Sequence, residues 1–439
     1  MATFAFKTLG CRLNQAESDS MADELLAGGL DPAHSDASPD VVVVNTCTVT
    51  REATKASRSA IRRAVRNNPD SKVVVVGCYA VSNPEEIEAI DGVDVILGNT
   101  DKERFAEALQ ENPPMSPLLQ LAPPARTKEP ATRVATPSAT ARVRANLKVQ
   151  TGCDEWCTFC IIPTTRGDLR SFDVESLVGE ARAKAAAGAR ELVLTGVHLG
   201  KYAYDIGGGE RELIELMGRL LDIDEIARLR LSSIFPRHLT NEVLEFMSRE
   251  PRVCRYLHVP LQAGDDDVLT AMHRPYRIEE YIEAVDRAKE ALEGLALATD
   301  IIVGFPGETD AAFEATLDVV RRVGFSKLHV FRYSARPDTP AATMEEQVPV
   351  EVKKERSKRL IELGNELRAD FLSRHLDSAV EVLVEDRREV EGVTISSGQT
   401  DDYVRCWFEG DCELGSIVEI AGKRIRADGI EGTLLRTVR

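Results

Sequence analysis

Residues 150–163 read Gln150-Thr151-Gly152-Cys153-Asp154-Glu155-Trp156-Cys157-Thr158-Phe159-Cys160-Ile161-Ile162-Pro163, which sets three cysteines in a CxxxCxxC spacing. Three thiolates this close in one loop can hold three irons of a cubane iron–sulfur cluster, leaving the fourth iron open to a small molecule. Zinc is the rival, but structural zinc normally takes four protein ligands and its common signatures use CxxC pairs. A disulfide would leave one of the three thiols unpaired. Cys153, Cys157 and Cys160 are therefore candidate metal ligands, and the loop that carries them follows a strand expected over Arg142–Gln150.

On the amino-terminal side, residues 3–110 repeat one pattern: an apolar strand, a polar or cysteine-bearing turn, then a helix-like segment. Phe4–Thr8 leads into Gly10-Cys11, Val41–Val44 into Asn45-Thr46-Cys47, Lys72–Val76 into Gly77-Cys78, and Val93–Leu97 into Gly98-Asn99-Thr100. Unbroken β-branched runs suit parallel strands buried on both faces. Strand–helix alternation with right-handed crossovers then builds a doubly wound parallel sheet. Ligands of such sheets bind along the edge formed by the strands' carboxyl ends. Cys11, Cys47 and Cys78 each fall at such an end, so they can converge although 36 and 31 residues separate them. Three cysteines in register favour a second cluster site over three unrelated core thiols. Helix N-termini after these cysteines are expected to lower their thiolate pKa.

On the carboxyl-terminal side, strands expected at Glu191–Thr195, Arg228–Ser232, Tyr256–Val259, Ala298–Val303 and Lys327–Phe331 alternate with helices. With the first strand they make about six βα units, a partial (β/α)6 barrel whose site lies at the strands' carboxyl ends. Residues 350–376 read as a charged helix. Short alternating runs at Glu381–Val384, Tyr403–Trp407, Ser416–Ile420 and Arg424–Asp428 predict a small all-β barrel of about five strands. The expected divisions are 1–110, a Pro/Ala-rich linker over 111–141, 142–376 and 377–439. Cys254, Cys406 and Cys412 fit no spacing pattern and read as structural. Leu194-Thr195-Gly196-Val197-His198 closes a strand with a glycine that permits backbone approach to a ligand. His198, His258 and His273 lie near strand ends, and no acid–base role is assigned to them.

A chain of 439 residues has room for about two to four domains. It contains no run of eighteen apolar residues and starts without a signal-peptide pattern, which points to a cytoplasmic protein without membrane spans. The net charge of −17 is unlike the basic footprint of a nucleic-acid binder. Binding depends on local fields, however, and residues 126–148 hold six basic residues against the single acidic Glu129. That segment is the expected contact with phosphates. Residues 377–439 carry fourteen acidic and eight basic residues.

The CxxxCxxC loop resembles the signature of radical S-adenosylmethionine (SAM) enzymes. The resemblance implies that SAM chelates the open iron through its amino and carboxyl groups. It implies further that the cluster donates an electron and that SAM breaks to methionine and a 5′-deoxyadenosyl radical, with the protein binding, orienting and shielding. Phe159 stands where that superfamily keeps an aromatic residue near the adenine. The stretch Lys7-Thr8-Leu9-Gly10-Cys11-Arg12-Leu13-Asn14-Gln15-Ala16-Glu17, with Asn45-Thr46-Cys47, Gly77-Cys78 and Arg332-Tyr333-Ser334-Ala335-Arg336-Pro337-Asp338-Thr339-Pro340, is similar to the methylthiotransferase family over nearly the whole chain. Within it, the amino-terminal stretch most resembles the branch that converts N6-threonylcarbamoyladenosine at tRNA position 37 into its 2-methylthio form. Sister branches act on isopentenyladenosine in tRNA or on an aspartate of a ribosomal protein. The resemblance implies two 4Fe-4S clusters, a SAM-cleaving one on Cys153, Cys157 and Cys160 and an auxiliary sulfur-delivering one on Cys11, Cys47 and Cys78. It implies a SAM pocket including Thr195, Gly196, Ser232, Gln262, Arg274 and Asp300, and a carboxyl-terminal TRAM barrel that grips the tRNA anticodon arm. It also implies a flavodoxin or ferredoxin as electron donor, and a monomer is expected. Phe235 departs from the pattern, standing where an acidic residue is expected in that branch.

Overall fold

The run Val41–Val44 forms the middle of a five-stranded parallel sheet in the computed structural model, which describes residues 2–34, 38–111 and 142–439. The linker expected at 111–141, with Arg126, Lys128 and Arg133, lies outside the described residues except for its first position. Strands β1 (Thr3–Thr8), β2 (Asp31–Pro32), β3 (Val41–Thr46), β4 (Lys72–Gly77) and β5 (Val95–Ile96) are ordered β2-β1-β3-β4-β5. Val41 and Val43 pack with Phe4, Met21, Leu25 and Phe105 on one face, and Val42 and Val44 with Ile61, Ala64 and Tyr79 on the other. Helices Arg12–Ala27 and Phe105–Glu111 cover the first face and Arg51–Asn67 the second. Each fully buried valine contributes about 1.5–3 kcal/mol, so a run of four apolar residues stays unbroken because neither face meets water.

The second body is built on β6 (Arg144–Lys148), with a short antiparallel ribbon of β7 (Gln150–Thr151) and β8 (Arg170–Ser171), then β9 (Glu191–Thr195), β10 (Arg228–Leu231), β11 (Tyr256–His258), β12 (Ala296–Val303) and β13 (Lys327–Arg332). Two parallel three-stranded sheets, β10-β9-β6 and β11-β12-β13, meet through parallel bridges Leu229↔Val253 and Ser233↔His258. The result is the expected partial barrel of six strands with its helices outside. The strand expected over Arg142–Gln150 ends at Lys148, because Gln150 and Thr151 leave β9 to pair with Ser171 and Arg170. That change of partner aims the chain into the cysteine loop.

Helix Val350–Ser373 leads to a closed barrel of β14 (Ala379–Val390), β15 (Val393–Gln399), β16 (Arg405–Glu409), β17 (Ile417–Arg426) and β18 (Gly429–Thr437), ordered β14-β15-β16-β18-β17. The number of strands matches expectation, but two of them, β15 and β18, fall outside the expected runs. Both are rich in glycine, serine and threonine, and at Gly398 a Cβ would stand 1.8 Å from the Leu383 carbonyl oxygen, so close strand approach replaces side-chain bulk. The expected run Arg424–Asp428 is instead the end of β17. Cys406 and Cys412 are buried in this barrel and Cys254 beneath β10, consistent with structural roles. Tyr403 fastens the three bodies together. Its ring stacks on Tyr256 at 4.8 Å, Arg12 Nη2 donates to its hydroxyl at 2.6 Å, and Arg230 lies 4.7 Å over its face. No helix among the described residues is long and apolar enough to cross a membrane.

Candidate active site: two three-cysteine sites joined by Arg166

Cys11, Cys47 and Cys78 all stand at the carboxyl edge of the five-stranded sheet, immediately after β1, β3 and β4 or their turns. Cys11 occupies the N-cap of Arg12–Ala27, and Cys78 opens the next short helix. Gly10 has φ +92°, and a Cβ there would come within 2.7 Å of Cys47 Cβ and 2.9 Å of its Sγ, so the turn closes directly on the Cys47 thiol. That thiol is pushed up to about 11, by burial first and then by the neighbouring charges of Cys78 and Cys11. The expectation that helix N-termini depress these thiols is therefore corrected at Cys47: the hydrogen bond from the Val49 amide does not offset the loss of water. Three thiols that oppose one another's ionisation become stable thiolates around a metal cation, and the donor set fits an iron–sulfur cluster.

The second trio lies in the loop after β7. Cys153 is pushed up to about 11, by burial first and with Cys157 contributing, and Cys160 to about 12, by burial first and with Cys157 and Cys153 again opposing ionisation. All nine cysteines are free, so neither trio is tied up in a disulfide. Arg274 answers this concentration of sulfur: its Nη1 donates to Cys157 Sγ at 3.4 Å. The guanidinium is held between Phe235, 4.1 Å from the ring centre, and Tyr276, whose hydroxyl accepts from Nη2 at 3.0 Å. Phe235, the departure noted in the sequence, thus serves as the apolar bed for a buried cation. This trio also fits a cluster with one position left to a small molecule.

Between the trios stands Arg166, six residues beyond Cys160. Its Nη1 donates to Glu17 Oε1 at 2.7 Å and its Nη2 to Asn14 Oδ1 at 2.6 Å, both on the helix that follows Cys11. Its charge acts on Cys78, Cys11 and Cys47. Next to it, Asn99 Nδ2 lies 3.7 Å from Cys78 Sγ and donates to the Thr165 carbonyl oxygen at 2.7 Å. The loop of one trio is in this way bonded to the walls of the other. Lys102 and Lys148 complete the junction, at 2.6 and 3.4 Å from the Glu17 carboxylate. Lys148 is thereby interior, and Arg144 is bound to Glu385 at 3.2 Å. The expectation that the basic residues of 126–148 face phosphate is thus corrected for both, since each neutralises a carboxylate of the chain itself.

The remaining expected site residues line the carboxyl-terminal rim of the barrel. Thr195 ends β9, buried, and the next residue, Gly196, leaves room for Gln150, whose Oε1 would stand 2.8 Å from an added Cβ. Ser232 follows β10, and its hydroxyl is buried without a hydrogen-bond partner among the described residues. Gln262 has φ +72° and donates its amide to the Asp300 carbonyl at 2.9 Å. Asp300 Oδ1 in turn sits 3.1 Å from His258 Nε2. Phe159 packs edge-on against Phe305 at 6.5 Å. A buried, unanswered hydroxyl and a glycine facing the rim are what a polar ligand lying across these strand ends requires.

Sequence reasoning missed Arg166, Asn14 and Asn99, and gave His198 no role. His198 is buried with neither ring nitrogen hydrogen-bonded among the described residues, burial drops its pKa to about 2, and its ligand atom lies with those of Cys153 and Asp154 inside a 4.8 Å group. The spacing of Arg166 after Cys160, just before Gly167, was the available signal.

A partial parallel barrel with a three-thiol loop at its rim is the architecture of radical SAM enzymes, and the sequence model of the Radical SAM superfamily matches residues 147–320. The model described as Uncharacterized protein family UPF0004 matches residues 3–98, the sheet that carries the other trio. Threonylcarbamoyladenosine tRNA methylthiotransferase MtaB of Bacillus subtilis (strain 168) is 39% identical over 445 residues, covering 100% of this chain and 97% of that one. The tRNA-2-methylthio-N(6)-dimethylallyladenosine synthase of Erythrobacter litoralis is 33% identical over 99% of this chain and 98% of its own. Among solved structures, the radical S-adenosylmethionine methyltransferase TsrM from Kitasatospora setae, with cobalamin and a 4Fe-4S cluster bound, shares the fold at a TM-score of 0.55 and 17% identity, over 78% of this chain and 77% of that one. The chain belongs to the radical SAM methylthiotransferase family.

Proposed function

We propose that this protein methylthiolates C2 of N6-threonylcarbamoyladenosine at position 37 of tRNA. The observation that carries the reading is the junction at Arg166 and Asn99, which bonds one three-cysteine site to the other. Activating a carbon and delivering sulfur to it are two tasks, and two adjoining three-thiol sites can divide them. The substrate follows from the full-length similarity to proteins named for that nucleoside.

In this reading residues 1–110 hold the auxiliary 4Fe-4S cluster on Cys11, Cys47 and Cys78. Residues 142–376 hold the SAM-binding 4Fe-4S cluster on Cys153, Cys157 and Cys160, and residues 377–439 form the TRAM barrel. When bound, these groups supply one-electron cleavage of SAM, which activates adenine C2, together with the sulfur and, from a second SAM, the methyl group. The chain's own residues bind and orient. Arg274 steadies the charge at Cys157, Phe159 packs beside the adenine, and the Ser232 hydroxyl, Thr195, Gln262 and Asp300 receive the polar groups of SAM. Gly196 keeps the rim low enough for its backbone to approach. The carboxyl-terminal barrel grips the anticodon arm by shape and presents the unstacked base 37. The enzyme works as a cytoplasmic monomer and takes electrons from a flavodoxin or ferredoxin.

The test is mass spectrometry of tRNA nucleosides from a bacterial host lacking its own enzyme, with and without this gene. Appearance of 2-methylthio-threonylcarbamoyladenosine supports the reading. A methylthio group on the isopentenyl nucleoside instead selects the second reading, to which the relatives named for dimethylallyladenosine belong. A methylthio group on ribosomal protein, with tRNA unchanged, refutes both.

A further inference from the structure

The chain has 72 acidic residues against 55 basic ones, yet one surface helix inverts that balance. Helix Arg51–Asn67 holds Arg51, Lys55, Arg58, Arg62, Arg63 and Arg66 against one carboxylate, Glu52. Steps of four, three, four and four from Arg51 through Lys55, Arg58 and Arg62 to Arg66 put five cations in one stripe. The opposite face goes to the core, with Ser57, Ile61 and Ala64 buried. Like charges at these spacings destabilise a helix, so the stripe opposes folding rather than serving it.

Several cations on other helices are neutralised within their own helix: Arg249 by Glu245, Arg321 by Asp318, Lys354 by Glu351 and Lys358 by Glu362. On this helix Arg58 pairs with Glu86. Arg51, Lys55, Arg62, Arg63 and Arg66 have no ion-pair partner among the described residues. Arg336, from the segment after β13, closes a groove of about 680 Å³ with them. Its guanidinium is buried, its Nη2 donates to Thr48 Oγ1 at 2.7 Å, and its Nε has no partner among the described residues. A buried N–H without a partner is costly, and an acceptor entering the groove would satisfy it. Thr48 follows Cys47, and the Arg51 amide is tied to Ser334 Oγ at 3.2 Å, so the groove runs up to the amino-terminal cysteine site.

We propose that this groove docks the phosphodiester backbone of the substrate RNA and leads the strand toward Cys11, Cys47 and Cys78. The inference rests on the tRNA reading above and names the surface that serves it. Arginine forks match phosphate oxygens, and a helix of 17 residues spans about 25 Å, enough for several phosphates in file. The barrel of residues 377–439 offers no equal: Arg388, Arg424 and Arg426 are paired with Asp386 and Glu431.

The experiment compares the reconstituted holoenzyme with the triple variant Arg62→Gln/Arg63→Gln/Arg66→Gln and with the triple lysine variant at the same positions. All three side chains are exposed, and iron content with the unfolding midpoint controls for folding. Binding of unmodified tRNA is followed by fluorescence anisotropy between 50 and 200 mM salt. Each lost phosphate contact removes about 0.7–0.9 from the slope of log K against log salt. The glutamine variant is expected to lose about two from that slope and roughly tenfold or more in affinity, while the lysine variant keeps both. Unchanged slope and affinity overturn the proposal. So does intact tRNA binding with slowed reduction by flavodoxin, which assigns the groove to an acidic protein instead. Failure of the wild-type enzyme to bind tRNA sinks the tRNA reading itself, a result distinct from equal binding by wild type and variant.

Discussion

The Arg166 guanidinium and the Glu17 carboxylate meet at 2.7 Å and 3.2 Å, each side chain 1% exposed, across the boundary between the barrel loop and the first helix of the amino-terminal sheet. The pair is the centre of a buried cluster in which Lys102 and Lys148 share the same carboxylate. Buried charge of this kind gives little net stability when complete and a large penalty when one partner is removed.

Glu17→Gln should therefore cost about 3–5 kcal/mol, because it leaves three cations around a neutral amide. Denaturant unfolding of the reduced, anaerobic protein measures it; a loss below about 1 kcal/mol would show that water already reaches the junction. The same residue sets an acid limit. Burial favours its neutral form, but the charges of Arg166, Lys102 and Lys148 outweigh this and hold the carboxyl well below the usual range. A carboxyl depressed in the folded state contributes stability above its unfolded pKa of about 4.3, and that stability drains as the pH falls from there toward the folded value. Glu17→Gln should flatten this part of the acid unfolding profile.

Gly10→Ala tests the amino-terminal trio. At φ +92° an alanine is strained, and its methyl would occupy space within 2.9 Å of Cys47 Sγ. The expected result is a folded protein whose anaerobically reconstituted iron falls from about eight per chain toward about four. Retention of the full iron content, with an unaltered Mössbauer spectrum, would mean that the turn does not shape this site.

Arg274→Leu addresses the other trio. Removing a buried cation bonded to Cys157 disfavours the more negative, reduced state of a cluster held there. Its midpoint potential should fall by tens of millivolts, on the scale of 59 mV for a tenfold change in a one-electron equilibrium. Arg274→Lys should recover only part, since lysine keeps the charge but not the planar stacking on Phe235. An EPR-monitored titration decides; equal potentials for leucine and arginine refute the electrostatic role.

The strands and the six cysteines were legible in the sequence because both follow local rules. Val41–Val44 reads as a doubly buried strand, Cys11, Cys47 and Cys78 each fall in a glycine or polar turn at a strand end, and Cys153, Cys157 and Cys160 show in their CxxxCxxC spacing. The junction was not legible. Glu17 is one of several charged residues on a helix whose polar positions face inward, and nothing local separates it from a solvated one. Lys148 and Arg144 misled for the same reason: a basic stretch in the sequence became two counter-ions of the chain's own carboxylates, one interior and one half-buried. The basic stripe of Arg51–Asn67 was not read from the sequence either, because its lack of partners appears only once the acidic residues elsewhere have been matched. In the carboxyl-terminal barrel, β15 and β18 escaped because close backbone packing at glycine leaves no apolar alternation to read.

The hinge of that barrel yields the last prediction. His375, just past helix Val350–Ser373, places its Nε2 2.6 Å from Asp402 Oδ2 and its Nδ1 3.2 Å from the Phe371 carbonyl oxygen. Burial opposes a charge on the ring, but the hydrogen bond and charge of Asp402 prevail and raise its pKa. A histidine raised in the folded state contributes stability that is complete below its unfolded value of about 6.5 and is lost as the pH rises through the folded value. The loop it holds carries Tyr403, against which Arg12 and Arg230 are packed, so its release loosens the barrel from both other bodies. Hydrogen exchange at residues 400–405 should accordingly quicken, beyond the intrinsic base-catalysed rise, between pH 6 and pH 8 in the wild type. In His375→Ala the same amides should be fast at both values. Protection that stays constant across that range in the wild type would show that the ring does not change its charge there, and would refute the switch.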